Sequence, residues 1–101
     1  MALKTKVIIA AATAADDFTG LALTSNDVAT IIGTGFSGAD AVDIQIETST
    51  GVYADYYFGG TQQQLTSTNT AVVLTGPARY KIDKGITAGT VAVSYVLGHI
   101  W

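Results

Sequence analysis

Apolar and polar residues alternate along most of this chain in short runs, and no run sustains the three-to-four-residue spacing of a helical stripe. The clearest run covers residues 42–48, where Val42, Ile44, Ile46 and Thr48 alternate with Asp43, Gln45 and Glu47. Runs of this kind, with the apolar stretches between turn signals, predict strands near residues 3–11, 18–24, 28–33, 41–48, 52–58, 61–66, 70–75, 78–83 and 90–97. The turn signals are Asp16-Asp17, Ser25-Asn26-Asp27, the Gly33 to Gly38 segment, Ser49-Thr50-Gly51, Gly59-Gly60, Ser67-Thr68-Asn69, Gly76-Pro77 and Asp83-Lys84-Gly85. From Ala10 to Ala15 a helical turn competes with strand. The pattern predicts an all-β fold, an antiparallel β-sandwich or jelly roll of about eight short strands. A length of 101 residues confines it to a single β-sandwich domain spanning residues 1–101.

One hairpin can be carried to its register, because the pairing must put apolar residues of both strands on one face. A three-residue loop Ser49-Thr50-Gly51, with Gly51 in the left-handed conformation, pairs Thr48 with Val52, Ile46 with Ala54, Ile44 with Tyr56 and Val42 with Phe58. The opposite face then sets Glu47 against Tyr53, Gln45 against Asp55 and Asp43 against Tyr57. A two-residue loop would set Ile44 against Asp55 and is rejected.

Composition supports the strand reading. Fifteen Thr stand beside one Glu and six Leu, so residues suited to a pleated surface abound while formers of exposed helices are scarce. Charged residues make up 13% of the chain and hydrophobic ones 49%, which leaves little to cover an apolar surface. Burial is therefore expected to continue beyond the subunit, in a homo-oligomer. Five basic residues against eight acidic ones, with no basic cluster longer than Lys4-Thr5-Lys6, argue against a nucleic-acid partner. Without cysteine there is no disulfide, thiolate metal site or thiol nucleophile. Lys4 and Lys6 followed by Val7 to Ala12 imitate a secretory signal, but the apolar stretch is short and reads as a strand; no run approaches the ~18 apolar residues of a membrane span.

Candidate chemistry is thin. Gly33-Thr34-Gly35-Phe36-Ser37-Gly38 has the spacing of a dinucleotide fingerprint, yet that motif must open a helix, and here a strand follows, so the segment reads as a glycine-rich loop. His99 is the sole histidine, and although Ser94 or Ser37 could in principle join it, no nucleophile-elbow motif supports a triad. Asp43 and Glu47, four residues apart on a strand, lie about 13 Å apart along the backbone, too far to share one metal ion. With Asp55 they read as a solvated polar face. No catalytic, cofactor-binding or metal-ligating residue is assigned, and the chain is not expected to be an enzyme. The expected contact residues are Tyr53, Asp55 and Tyr57 on the polar side of the hairpin, where aromatic rings among polar groups suit an interface. Ile100 and Trp101 join them, two large apolar side chains where a chain end normally frays.

The strand Asp43 to Glu47, the segment Thr75-Gly76-Pro77-Ala78-Arg79-Tyr80-Lys81-Ile82 and the closing stretch Gly89 to Val96 resemble small β-sandwich or jelly-roll virion proteins of tailed bacteriophages, the capsid decoration (cement) and fibre modules. The resemblance implies a structural virion component without cofactor, often trimeric, bound to a capsid or other virion protein and to copies of itself. It also leaves open a receptor- or glycan-binding module at a fibre tip, with Tyr53, Tyr57, Asp55 and Gln45 meeting a sugar. It implies location in the virion after assembly in the host cytoplasm. No functional residues carry over from it.

Overall fold

The computed structural model describes the backbone of residues 4–99 and the side chains of residues 5–98. The described residues form strands and turns without a helix: β1 (Lys4–Ala12), β2 (Asp16–Leu23), β3 (Asp27–Thr34), β4 (Ala41–Ser49), β5 (Val52–Asp55), β6 (Tyr57–Phe58), β7 (Thr61–Gln62), β8 (Gln64–Thr66), β9 (Ala71–Thr75), β10 (Ala78–Lys84) and β11 (Val91–His99). A four-stranded antiparallel sheet has the order β1-β11-β3-β9, and a five-stranded one the order β2-β10-β4-β5 with β8 also paired to β4. Strands β6 and β7 pair only with each other. The all-β sandwich expected from the alternation is the fold observed.

The two sheets face each other across a core to which both contribute equally. Ile9, Ala29, Ile31, Val72, Leu74, Val91 and Val93 come from the four-stranded sheet; Leu21, Leu23, Val42, Ile44, Leu65, Tyr80 and Ile82 come from the other. Each is a period-two position of its strand, which is how an alternating sequence becomes two layers. Tyr80 is the one large polar ring there. Its hydroxyl donates to the Thr75 carbonyl at 2.9 Å, its ring meets Tyr56 edge-on with centroids 5.4 Å apart, and burial pushes its pKa up to about 12. Lys84 is also fully buried, its ammonium donating to the Ala14 carbonyl.

The β4–β5 hairpin follows its expected register from Glu47 inward: Glu47 faces Tyr53, Ile46 faces Ala54 and Gln45 faces Asp55. The Tyr56 amide donates to the Ile44 carbonyl at 2.9 Å, so Ile44 and Tyr56 are neighbours as expected. Gly51 has φ 76°, the left-handed conformation the loop requires. Two expected features fail. At the loop, Ser49 rather than Thr48 faces Val52, because a bulge leaves Thr48 unpaired in the ladder, its hydroxyl donating to the Val52 carbonyl at 3.4 Å. Beyond Tyr56 the strand ends, and Leu65 faces Val42 and Gln64 faces Asp43 where Phe58 and Tyr57 were expected. The Gln63 amide donates to the Tyr56 carbonyl at 2.8 Å, closing off residues 57–62 as a projecting hairpin. Gly59 and Gly60 (φ 61° and 82°) form its turn, the pair of left-handed positions that a two-residue hairpin favours.

Candidate interaction surfaces

Residues paired across an antiparallel ladder share a face, so the registers locate every outward side chain. On the five-stranded sheet, β10 runs through the middle. Outward Lys81 stands between Thr19 and Gln45, and outward Asp83 between Asp17 and Asp43. Glu47 and Asp55 lie on the same side. Most of these groups engage one another. Lys81 Nζ lies 3.7 Å from Asp17 Oδ2, and Arg79 Nε lies 3.8 Å from Glu47 Oε1. Gln64 Nε2 donates to Asp43 at 2.6 Å, Gln45 Nε2 to Asp55 at 3.2 Å, and the Gly51 amide to Glu47 at 3.0 Å. Asp83 is held above the ordinary carboxylate range, first by its hydrogen bond with Asp17 and then by partial burial and the negative charges of Asp17 and Asp43. The row Asp17, Asp83, Asp43 is thus a set of like charges directly opposite one another, and no group of acidic, His or Cys side chains among the described residues is arranged to hold a metal ion.

The four-stranded sheet differs. Its outward rows read Thr5, Val96, Thr30, Val73 and then Val7, Ser94, Ile32, Ala71, with Gly98, Val28 and Thr75 beside them and Ala92 with Thr34 at the far end. None of these is charged. Val7 and Val73, on the two edge strands, are each 62% exposed.

The third feature is the projecting β6–β7 hairpin, where Tyr57 and Phe58 are 58% and 70% exposed. Phe58 was expected inside, opposite Val42; the structure puts it outside. The Gly59-Gly60 pair, flanked by two residues on each side, is the sequence signal for this departure. Of the expected contact residues, Tyr53 and Asp55 share the outer face of β5 and Tyr57 sits on the separate hairpin, so the structure does not bring all three onto one sheet face. Tyr53 is half-buried opposite Glu47, and Asp55 is engaged by Gln45. Ile100 and Trp101 lie outside the described residues, as does the His99 side chain. Ser94 faces outward between Val7 and Ile32, and Ser37 lies in the loop from β3 to β4. The fingerprint-like Gly33 to Gly38 segment runs from β3 through that loop without opening a helix.

Asp40, just beyond it, fastens two loops together. Its carboxylate accepts from the amides of Ala88 and Gly89, each at 2.9 Å, and of Ser37 at 3.0 Å. Those bonds, led by Ala88 and Gly89, hold its pKa below the ordinary carboxylate value.

No protein-family model matches the sequence, and no curated protein is similar to it. Among solved structures, the fold is similar to that of the SPBc2 prophage-derived protein YomS, with a TM-score of 0.69 and 14% sequence identity, over 95% of this chain and 92% of that one.

Proposed function

We propose that the chain is a structural component of a bacteriophage particle, acting as a capsid decoration (cement) protein that binds the shell and copies of itself. The observation that carries this reading is the outer face of the four-stranded sheet, whose outward rows hold no charged residue, whereas Asp17, Lys81, Asp83, Asp43, Glu47 and Asp55 line the outer face of the other sheet. Surfaces of this kind fit burial against another protein better than exposure to water. Likeness in fold to a prophage-derived protein across nearly the whole chain supports a phage setting. The aromatic pair on the β6–β7 hairpin adds a projecting contact of the size that anchors interfaces.

A glycan-binding role at a fibre tip is less well supported. The groups it would use are occupied or apart: Gln45 and Asp55 bond each other, Tyr53 is half-buried, and Tyr57 stands on a different hairpin. Quantitative mass spectrometry of particles from the phage that encodes the chain separates the roles. A copy number comparable with that of the major shell protein is expected. A handful of copies would assign the chain to a tip, and absence from particles would overturn a virion role.

A further inference from the structure

We infer that the contact between copies is a strand-to-strand seam, in which β9 pairs antiparallel with β9 of a second copy about a twofold axis at Val73 and joins the two four-stranded sheets. The inference rests on the self-association in the reading above and gives it twofold symmetry in place of the trimer expected from the resemblance.

A strand at the edge of a sheet offers a row of unpaired backbone groups, and natural proteins usually blunt it with charge, bulges or extreme shortness. Among the described residues three edge strands are blunted, and a fourth, β8, is only three residues long. β1 carries Lys6 and shifts register at Val7/Ile9 and again at Ile9/Ala12. β2 carries Asp16 and Asp17 and bulges opposite Tyr80/Lys81. β5 is four residues long and bears Asp55, and the β4 bulge at Thr48 breaks its ladder at the start. β9 has none of these protections. It keeps one register over five pairs with β3, from Ile32 and Ala71 to Val28 and Thr75, and has no charged residue. Indeed no charged residue occurs anywhere from Tyr56 to Ala78.

The hydrogen-bond phase of β9 shows which groups are open. Gly33 N donates to the Thr70 carbonyl at 2.9 Å and Gly76 N to the Asp27 carbonyl at 3.3 Å, so the alternating series Thr70, Val72, Leu74, Gly76 faces β3. Ala71, Val73 and Thr75 therefore direct their N–H groups to the free side, where no strand lies among the described residues. The carbonyls of Ala71 and Val73 point the same way, while that of Thr75 already accepts from Tyr80 and keeps a second lone pair. Pairing Val73 with the partner's Val73, and Ala71 with the partner's Thr75, gives all three N–H groups an acceptor. Self-pairing of this kind is isologous, as a closed dimer requires. It also suits a chain of net charge −3, because two copies meet along their uncharged stretch and hold the acidic faces apart. Two five-residue strands bury an area at the low end for a specific interface, below about 1,200 Å². The isolated dimer should accordingly be weak and gain from repetition on a particle surface.

Analytical ultracentrifugation of the intact chain from about 1 µM to 1 mM, the range of a small interface, provides the test. A concentration-dependent dimer is expected, together with hydrogen-exchange protection at Ala71, Val73 and Thr75 that grows with concentration. Val73→Pro removes one N–H that the monomer leaves unbonded, and edge strands tolerate proline at such positions. Val73→Lys keeps the backbone and sets two like charges opposite each other. Each should raise the dimer Kd about tenfold or more, through two lost interchain donors or through repulsion, with the denaturation midpoint of the monomer little changed. Val7→Lys, at an equally exposed position on the opposite edge of the same sheet, should leave the dimer intact.

A trimer, a monomer at 1 mM, or loss of association with Val7→Lys in place of the Val73 variants would each overturn the seam. A monomer that still decorates particles would overturn the seam and leave the virion role standing. A β9 dimer absent from particles would do the reverse.

Discussion

On the five-stranded sheet the outward side of β10 places Lys81 and Asp83 among acidic and amide neighbours, whereas on the four-stranded sheet β11 and β3 turn Ala92, Ser94, Val96, Thr30 and Ile32 outward with no charge in reach across the ladder. Both sheets cover the same core with the same number of buried side chains, so the contrast owes nothing to the interior. It concerns what each sheet expects on its far side. The charged face supplies its own cross-strand partners and needs only water. The uncharged face has β-branched and small residues, some of them with hydroxyls that water can satisfy, and their compact shapes suit packing under a second protein surface. Under the function proposed above, one side of the sandwich is finished by its own sequence and the other by assembly.

The sharpest way to break this comparison is to test neighbours on one strand that face opposite ways. Ile31 is fully buried and Ile32, next to it on β3, faces outward. Ile31→Ala should cost about 2–5 kcal/mol, a large part of the stability of a domain this size. Ile32→Ala should cost about 1 kcal/mol or less when urea unfolding is followed at a dilution where the subunit is alone. Similar losses at both positions would mean that the outer face is covered within the subunit, and the contrast between the sheets would collapse.

Much of the architecture was legible because period-two alternation is a local signal. Val42, Ile44 and Ile46 separate from Asp43, Gln45 and Glu47 without knowledge of any distant residue, and Gly51 marks the loop that sets the register. The misplacement of Phe58 has an equally local origin. Alternation extends a strand for as long as it continues, and Tyr56, Tyr57 and Phe58 give no polar interruption. The chain instead closes at Tyr56 and Gln63, and Leu65 fills the place opposite Val42. The uncharged face and its open edge were less legible. That β9 is an edge, and that Thr5, Val96, Thr30 and Val73 form one row, depend on pairings between strands far apart in sequence, which no local pattern records. Tyr53 and Asp55 stand opposite Glu47 and Gln45 as the alternation indicates, and only Tyr57 is carried away from them, onto the β6–β7 hairpin.

Acidity sharpens the contrast from the charged side. Asp83, opposite both Asp17 and Asp43, holds its proton more tightly in the folded chain than in the unfolded one. The folded state therefore binds more protons, and its contribution to stability declines as pH rises from the ordinary carboxylate value of 3.8 through the raised one. Asp40 has the opposite sign: its lowered pKa makes a contribution that is present above 3.8 and lost as pH falls through the folded value. Asp83→Asn should remove the first dependence and, by relieving like charges across the ladder, gain up to about 1 kcal/mol at neutral pH. Denaturant unfolding as a function of pH checks it. A loss of stability at neutral pH would show that the ionised Asp83 is needed where it stands.

The smallest expected effect lies with Lys81, the cation beside this acidic row. Its ammonium is 3.7 Å from Asp17 and its positive charge counters the rise in the Asp83 pKa, so it is both an ion-pair partner and a moderator of its neighbours. Lys81→Met keeps the apolar stem that covers the sheet and removes the charge. As the pair is partly exposed, the loss should be about 0.2–1 kcal/mol, near the limit of a denaturation measurement. The titration is more telling. Without Lys81 nothing on the ladder beside Asp83 offsets Asp17 and Asp43, and the Asp83 carboxyl should titrate at a higher pH in carbon-13 spectra, a displacement that added salt reduces. An unmoved or lowered midpoint would mean that the charges of this face act separately, and that its difference from the uncharged face lies in composition alone.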